Sequence, residues 1–220
     1  MPMPTVLITG ANRGIGLEFA RQYAADGWEV IATARQASPE LDQVAARIEQ
    51  LDMQNLDAVV ALGSRIDRLD LLIANAGTWK PEQAQTAEDG RAWAAMLVTN
   101  TVAPYLLAKS VLRQVADAKG KLMALTSGMG SIGESSGGYA PYRSSKAALN
   151  MAWHALSVEA QRPGVVTAVL DPGWVKTRMG GANAPTPPEQ SVSEMRALIE
   201  RLGPDDSGGF FKRDGSRHAW

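Results

Sequence analysis

Short apolar runs alternate with amphipathic stretches along most of the chain. The first run, residues 6–8, is rich in β-branched side chains and ends shortly before Gly10, which is typical of a buried strand. Further runs of this kind predict the other strands. They lie at 29–33, 47–51, 70–74, 121–126 and 165–170, with a last edge strand at 209–211.

Between these runs, apolar residues recur at the spacing of a helix face. The predicted helices cover 14–25, 41–46, 56–66, 92–116, 141–161 and 191–202. Pro104 lies inside the fourth helix and predicts a kink there, because proline has no N–H to contribute to the helical ladder.

The alternation of apolar strands with helices predicts the fold class. Strands that are apolar on both faces belong to a parallel sheet covered by helices on both sides. We therefore predict one α/β domain, residues 1–220, with a doubly wound Rossmann sheet of about seven strands. Glycine and proline are concentrated at 180–188, so a substrate loop or lid is expected at about 174–200.

Composition narrows the range of functions. The 220 residues carry a net charge of −1, which does not favour a nucleic-acid partner. The sequence has no cysteine and two histidines, so thiol chemistry is excluded and no metal site is predicted. No apolar run approaches the length of a membrane span, and the first residues do not have the pattern of a secretory signal. We therefore expect a cytoplasmic protein without a membrane partner.

A glycine-rich loop follows the first predicted strand, with the sequence TGANRGIG. Its glycines allow a tight turn and a close approach of the backbone to a pyrophosphate, which the N-terminus of the next helix would bind. An ordinary glycine-rich turn is the alternative, but the position between the first strand and the first helix favours a dinucleotide site. The candidate residues of the loop are Gly10, Asn12, Arg13, Gly14, Ile15 and Gly16.

The end of the second strand indicates which dinucleotide is bound. An acidic residue there would bind the ribose hydroxyl of NAD, whereas this strand is followed by Arg35. A guanidinium suits the 2′-phosphate of NADP, and Arg13 could reach the same phosphate. Both arginines could also be solvated surface charges. Asp52, followed by Met53, either accepts a hydrogen bond from adenine or caps the next helix.

Tyr142 and Lys146 are spaced four residues apart near the start of a predicted helix, which places them on one helix face. A tyrosine with an ordinary pKa of about 10 is a poor acid–base catalyst at neutral pH. A neighbouring ammonium favours the phenolate, so we expect Lys146 to lower the pKa of Tyr142. Such a pair beside a dinucleotide could exchange a proton with a carbonyl oxygen while hydride reaches its carbon. The spacing also occurs by chance in many helices.

Ser127 lies at the end of the fifth predicted strand, where ligands of open α/β sheets are bound. Its hydroxyl could hydrogen-bond both the substrate carbonyl and the tyrosine. Ser131 is an alternative in the same glycine-rich stretch, and the position at the strand end favours Ser127.

Together these motifs resemble the short-chain dehydrogenase/reductase superfamily. The resemblance covers nearly the whole chain and includes TGANRGIG, NAG, YRSSK and PG in the same order. The stretches GSIGESSGGYAPYRSSKAALN and DPGWVKTRMGG are similar to the C-factor and sniffer-type carbonyl reductases. The chain departs from many relatives in having Thr126 before Ser127, and its stretch between Ser127 and Tyr142 is about two residues longer than usual.

The resemblance implies a role for further residues. Asn75, Ala76 and Gly77 would border the adenine ribose and steady the sheet, and the backbone of Asn100 would hold a water that links Lys146 to solvent. Lys146 would also hold the nicotinamide ribose. The carboxamide and diphosphate would be held by Pro172, Gly173, Val175 and Thr177. The implied catalytic set is Asn100, Ser127, Tyr142 and Lys146, and the implied cofactor is NADP.

The leading hypothesis is reversible, NADP-dependent reduction of a small-molecule carbonyl. A dinucleotide-binding signalling protein of the C-factor type is the alternative, and a sugar-nucleotide epimerase is disfavoured because few residues follow the 180–188 loop to build its substrate domain. The resemblance also implies a homo-oligomer, a dimer or tetramer, formed through the two long helices. The candidate substrate residues are Trp79, Ile132, Tyr139, Trp174 and Met179.

Overall fold

In the computed structural model, which describes residues 3–161 and 164–220, a seven-stranded parallel sheet forms the centre of the molecule. The strand order is β3-β2-β1-β4-β5-β6-β7, so the chain moves outward from β1 in one direction and then in the other. The strands are β1 (Thr5–Thr9), β2 (Glu29–Ala34), β3 (Arg47–Gln50), β4 (Leu71–Ala74), β5 (Lys121–Leu125), β6 (Val166–Asp171) and β7 (Gly209–Lys212).

Helices cover both faces of this sheet. They are α1 (Gly14–Ala25), α2 (Pro39–Asp42), α3 (Leu56–Gly63), α4 (Ala87–Leu97), α5 (Ala103–Ser110), α6 (Leu112–Asp117), α7 (Ala140–Ala160) and α8 (Pro188–Arg201). Successive strand residues point to opposite faces. Val6 and Ile8 therefore belong to the cluster packed under α1 and α8, whereas Leu7 belongs to the cluster packed under α3, α5 and α7. The predicted fold class is confirmed.

Several predicted helix boundaries were wrong. The expected helix at 41–46 is instead the single turn α2, because the Ser38 hydroxyl accepts from the N–H of Leu41 and Pro39 fits the first turn. The helix predicted at 56–66 ends at Gly63. The long helix begins earlier than predicted, since Thr86 and Asp89 form a reciprocal cap at the start of α4.

The predicted kink at Pro104 takes the form of a π-helical turn at Val98–Val102, directly before α5. Proline has no N–H for the helical ladder, and a π-helical turn accommodates such a break. A second break, at Val111, separates α5 from α6. The predicted helix at 92–116 is therefore three α-helices joined by these breaks.

Within the part of the chain that the structure describes, no helix is both long and apolar enough to cross a membrane. The same residues contain no group of three or more histidine, aspartate or glutamate side chains placed to hold a metal ion.

Candidate active site

A cleft of about 1040 Å³ opens at the carboxyl ends of the central strands. Most of the residues predicted to bind the dinucleotide line it. They are Gly10, Asn12, Arg13, Gly14, Ile15, Gly16, Arg35, Asp52, Met53, Asn75, Ala76, Gly77, Tyr142, Lys146, Pro172 and Thr177. Two of the candidate substrate residues, Trp79 and Met179, also line it.

Other predicted residues lie beside this cleft rather than in its wall. Val175 is buried, and it pairs through its backbone with Thr186. Ile132 and Trp174 are largely exposed, and the indole of Trp174 donates to the carbonyl of Gly180 at 2.7 Å. The candidate residues that do not line the cleft are Asn100, Ser127, Ile132, Tyr139, Gly173, Trp174 and Val175.

The glycine loop has no room for a side chain at two of its glycines, Gly10 and Gly16. Gly10 has φ of +66°, and a Cβ there would lie 2.9 Å from the Cα of Ala76. A Cβ on Gly16 would lie 2.5 Å from both the Asn75 amide nitrogen and the Gly10 carbonyl oxygen. The loop therefore approaches the end of β4 through bare backbone and presents the N-terminus of α1 to the cleft.

Asn75 fastens the end of β4 to this loop. Its side-chain amide donates to the carbonyls of Thr9 at 2.8 Å and Gly10 at 3.2 Å. In return, the Thr9 hydroxyl accepts from the backbone N–H groups of Asn75 and Ala76, both at 3.0 Å. The motif at 75–77 thus braces two strand ends against each other at the mouth of the cleft.

Arg13 and Arg35 are exposed side chains at the same end of the cleft. Neither guanidinium forms a salt bridge among the described residues. Asp52 does not cap α3, because the side chain of Asn55 takes that position and accepts from Ala58. The Asp52 carboxylate instead accepts from the N–H of Gln54 at 2.9 Å and faces the cleft.

Tyr142 and Lys146 lie in the first turns of α7, and the lysine is almost fully buried. The Lys146 ammonium is 5.9 Å from the centre of the Tyr142 ring and donates to the carbonyl of Leu125 at 2.7 Å. Burial lowers the pKa of Lys146 to about 8, although the carboxylate of Asp171 favours the charged form.

The pKa of Tyr142 is shifted opposite to the sequence-based expectation. Burial raises it above the usual range, the carboxylate of Asp171 raises it further, and the Ser127 hydroxyl lowers it. Desolvation of the phenolate is therefore the largest influence on the pKa of Tyr142. A cation that entered the cleft would lower the pKa of Tyr142.

The structure separates the two candidate serines. Ser127 follows β5, is half-buried and faces Tyr142. Ser131 is buried, and its hydroxyl accepts from the N–H of Glu134 at 3.1 Å and donates to the carbonyl of Trp220 at 3.5 Å. The Ser131 hydroxyl is thus used within its own loop.

Asn100 lies in the π-helical turn and connects two parts of the site. Its side-chain amide donates to the carbonyl of Thr78 at 2.7 Å and to the hydroxyl of Ser145 at 2.9 Å, and its oxygen accepts from the N–H of Thr78 at 2.8 Å. The residue therefore links the segment after β4 to α7, one position before Lys146. This side-chain role was not predicted from the sequence.

Asp171 is a charged residue close to Tyr142 and Lys146 that the sequence did not predict. It ends β6, and one carboxylate oxygen accepts from the N–H of Gly173 at 2.9 Å. The other faces the Nε2 of His218 at 2.9 Å. Its place at a strand end, directly before the Pro172–Gly173 motif, was the available signal. Its ring partner follows β7 and could not be paired with it by spacing.

Comparison with known proteins agrees with this geometry. Residues 4–187 match the family model described as short chain dehydrogenase. The C-signal protein of Myxococcus xanthus is 37% identical over 154 residues, which are 69% of this chain and 93% of that protein.

Two solved structures extend the similarity over the whole chain. The carbonyl reductase Sniffer of D. melanogaster superposes with a TM-score of 0.91 and 33% identity, with all of both chains covered. An NADPH-bound carbonyl reductase from chicken fatty liver superposes with a TM-score of 0.87 and 30% identity, again over 100% of both chains. The predicted resemblance is confirmed.

Proposed function

The chain belongs to the short-chain dehydrogenase family, and on this premise we propose that it reduces ketones or aldehydes with NADPH and catalyses the reverse alcohol oxidation. One observation carries the proposal. Tyr142 and Lys146 line the same cleft as the glycine loop, and the Ser127 hydroxyl faces Tyr142. A proton donor and a dinucleotide site are thus adjacent, as hydride transfer to a carbonyl requires.

The residues of the cleft fit an NADP molecule. A Cβ on Gly14 would lie 3.3 Å from the side chain of Thr177. The glycine therefore leaves room for phosphate oxygens to approach the backbone N–H groups of the loop. Arg13 and Arg35 supply positive charge at the end of β2, where a 2′-phosphate would lie. Asp52 is free to accept a hydrogen bond from the adenine. We assign the nicotinamide end to Lys146, Pro172, Gly173, Val175 and Thr177.

When bound in this cleft, NADPH would supply the hydride for the carbonyl carbon. Tyr142 donates its phenolic proton to the carbonyl oxygen, and the hydroxyl of Ser127 holds that oxygen by a hydrogen bond. The ammonium of Lys146 stabilises the phenolate that remains and holds the nicotinamide ribose. Asn100 holds the adjoining backbone so that a proton can return to the tyrosine from solvent.

We assign the substrate side of the cleft to Trp79 and Met179, which line it, and to the exposed side chains of Ile132, Tyr139 and Trp174. These apolar side chains favour small hydrophobic carbonyls. A protein that turned over only strongly anionic substrates would contradict this assignment.

The test is a steady-state assay of a carbonyl panel with NADPH and with NADH. We expect turnover with a preference for NADPH that Arg35→Asp reduces or reverses. Tyr142→Phe is expected to lower kcat by a factor on the order of 10²–10⁴ while NADPH still binds, because only the proton donor is removed. Equal use of both dinucleotides by the wild type would refute the roles of Arg13 and Arg35.

The similarity to C-signal supports a second candidate, a signalling protein that binds a dinucleotide without essential turnover. The same variant separates the two. If Tyr142→Phe abolishes reduction and leaves the biological role of the protein intact, signalling is the function and turnover is secondary.

A further inference from the structure

His218 lies between two carboxylates on different parts of the fold. Its Nε2 is 2.9 Å from Oδ2 of Asp171, and its Nδ1 is 2.9 Å from Oε2 of Glu134. Its side chain is only 6% exposed. Carboxylates accept hydrogen bonds and do not donate them, so both contacts are satisfied only when both ring nitrogens carry a proton. The ring therefore bridges two negative groups.

The ring also has a close packing environment. It lies against Phe210 with ring centres 4.5 Å apart. A Cβ on Gly128 would lie 3.0 Å from Cε1 of His218 and 3.3 Å from Oδ2 of Asp171. Gly128 directly follows Ser127, so the backbone that carries Ser127 rests on the Asp171–His218 pair.

Glu134 belongs to the 131–139 loop, and several hydrogen bonds join this loop to residues 218–220. The second carboxylate oxygen of Glu134 accepts from the N–H of Ala219 at 3.2 Å. The N–H of Gly133 donates to the carbonyl of Trp220 at 2.9 Å. The 131–139 loop includes the candidate substrate residues Ile132 and Tyr139, and most of it is exposed.

The other partner of His218 acts on the catalytic pair. The Asp171 carboxylate raises the pKa of Tyr142 and opposes the lowering of the pKa of Lys146. A ring N–H donated to Asp171 offsets part of that negative charge. His218 is therefore coupled both to the chemistry and to the loop beside it.

We propose that His218 is a positioning residue of the reductase, which offsets the charge of Asp171 beside Tyr142 and, through Glu134, holds the 131–139 loop at the substrate side. This inference rests on the proposed carbonyl reduction. It assigns to residues 218–220 a share in substrate binding and in the protonation of the catalytic tyrosine.

Other charged groups surround this cluster. Lys212 on β7 acts on Glu134, and Tyr142 and Lys146 on α7 sense Asp171. Trp220 packs on the ring of His154, with centres 5.2 Å apart. Arg217, the residue before His218, forms an exposed ion pair with Asp206.

Two substitutions with opposite expected signs test the electrostatic part. His218→Asn removes the ring held against Asp171, so the Asp171 charge acts more strongly on Tyr142, the pKa of Tyr142 rises, and the pH of half-maximal kcat for alcohol oxidation moves up by about 0.5 units. Asp171→Asn removes the negative charge and moves the pH of half-maximal kcat down, while the amide oxygen can still accept from the N–H of Gly173. A merely structural role would not produce opposite shifts. Arg217→Gln, at an exposed position next to His218, is the control and is expected to keep the wild-type profile.

Glu134→Gln tests the loop part separately. It weakens the tie to His218 but leaves the Asp171 contact in place, so we expect kcat/KM to fall about tenfold, mainly through KM, with little change in the pH profile. Glu82→Gln, at another exposed carboxylate, is the control and is expected to match the wild type. An unchanged KM in Glu134→Gln overturns the assignment of the loop.

Hydrogen–deuterium exchange tests the coupling without any turnover. In the cofactor-free protein, His218→Asn is expected to speed exchange in the 131–139 loop at least about tenfold, and Arg217→Gln is not. Unchanged exchange, or profiles of His218→Asn and Asp171→Asn that shift in the same direction, would overturn the proposal. If His218→Asn does not fold, His218→Lys replaces it. The lysine places an ammonium against Asp171, so an upward shift in the pH of half-maximal kcat is the refuting result. A wild type that exchanges as expected yet reduces no carbonyl refutes the proposed function alone.

Discussion

At the scale of single residues, the site holds a charged group where the solvent cannot reach it. Lys146 is 5% exposed, and burial lowers its pKa from an ordinary 10.5 to about 8. Its one hydrogen bond runs to the carbonyl of Leu125, without a carboxylate directly on the ammonium. Such an arrangement is unfavourable for stability and useful for chemistry, as is common in active sites.

Because the ammonium of Lys146 is buried, we predict that Lys146→Met stabilises the cofactor-free protein while it abolishes turnover. Below pH 8 the folded and unfolded states both hold the lysine proton, and the folded state bears the full desolvation cost. Between pH 8 and 10.5 the unfolded state binds more protons, so stability of the wild type rises with pH in that window. At pH 7 the variant should gain on the order of 2 kcal/mol in the free energy of unfolding, and the gain should shrink by pH 10.

Urea denaturation at the two pH values measures the difference. Lys119→Met is the control, because Lys119 is exposed and its substitution should leave the free energy of unfolding nearly unchanged at both. A Lys146→Met protein that is less stable than the wild type at pH 7 would show that the hydrogen bond to Leu125 outweighs the desolvation.

At the scale of elements, the break between α4 and α5 shapes the site. The π-helical turn at Val98–Val102 holds Asn100 where its amide reaches both Thr78 and Ser145. A regular helix would place residue 100 at a different angle, since each added residue rotates a helix by about 100°. Through Asn100, the π-helical turn before Pro104 thus connects the segment after β4 to α7.

We predict that Asn100→Ala lowers the free energy of unfolding by about 2–4 kcal/mol. It leaves the N–H and carbonyl of Thr78 and the hydroxyl of Ser145 without their buried partner, and each such loss costs about 1–3 kcal/mol. Asn55→Ala, which removes only the cap of α3, should lower it by about 1 kcal/mol. Equal losses in the two variants, measured by denaturant unfolding, would argue against the bridging role.

Helix α8 narrows the segment that could act as a lid. The sequence suggested residues 174–200 for it, but α8 buries Val192, Met195 and Leu198 in the core under the sheet. Ser191 also donates to the carbonyl of Pro172 at 2.8 Å. We therefore propose residues 173–187 as the part that could move over a bound substrate.

At the scale of the whole molecule, α7 has two different faces. Its inner face carries Tyr142 and Lys146, whereas its outer face exposes Met151 and Val158 by 67% and 61%. Large apolar side chains exposed on a long helix suit contact with a second copy of the chain. This surface includes one of the two long helices expected to form an oligomer.

We predict that the double variant Met151→Glu and Val158→Glu shifts the protein to a monomer, since charges at the centre of an apolar interface are not solvated there. Sedimentation velocity over a range of concentrations measures the shift. Val60→Glu, at an exposed apolar position on α3, is the control. A wild type that remains monomeric at every concentration would contradict the oligomer.

Much of this protein was readable from its residues. Apolar runs predict the strands closely, because a strand covered on both faces must be apolar throughout. The glycine loop could be predicted from its place after β1. A Cβ on Gly10 or Gly16 would meet only the loop itself or the end of β4, the neighbouring strand. Tyr142 and Lys146 were found for the same reason, because helical spacing by itself places them on one face.

What only the tertiary structure decided are contacts between groups far apart in the chain. Asp171 meets His218 across 47 residues, and His218 meets Glu134 across 84. The pKa of Tyr142 also depends on burial and on Asp171, so its direction could not be read from Lys146 alone. Local patterns follow from backbone geometry within a few residues, whereas desolvation and long-range charge depend on which elements pack together, and that is set only when the whole sheet is formed.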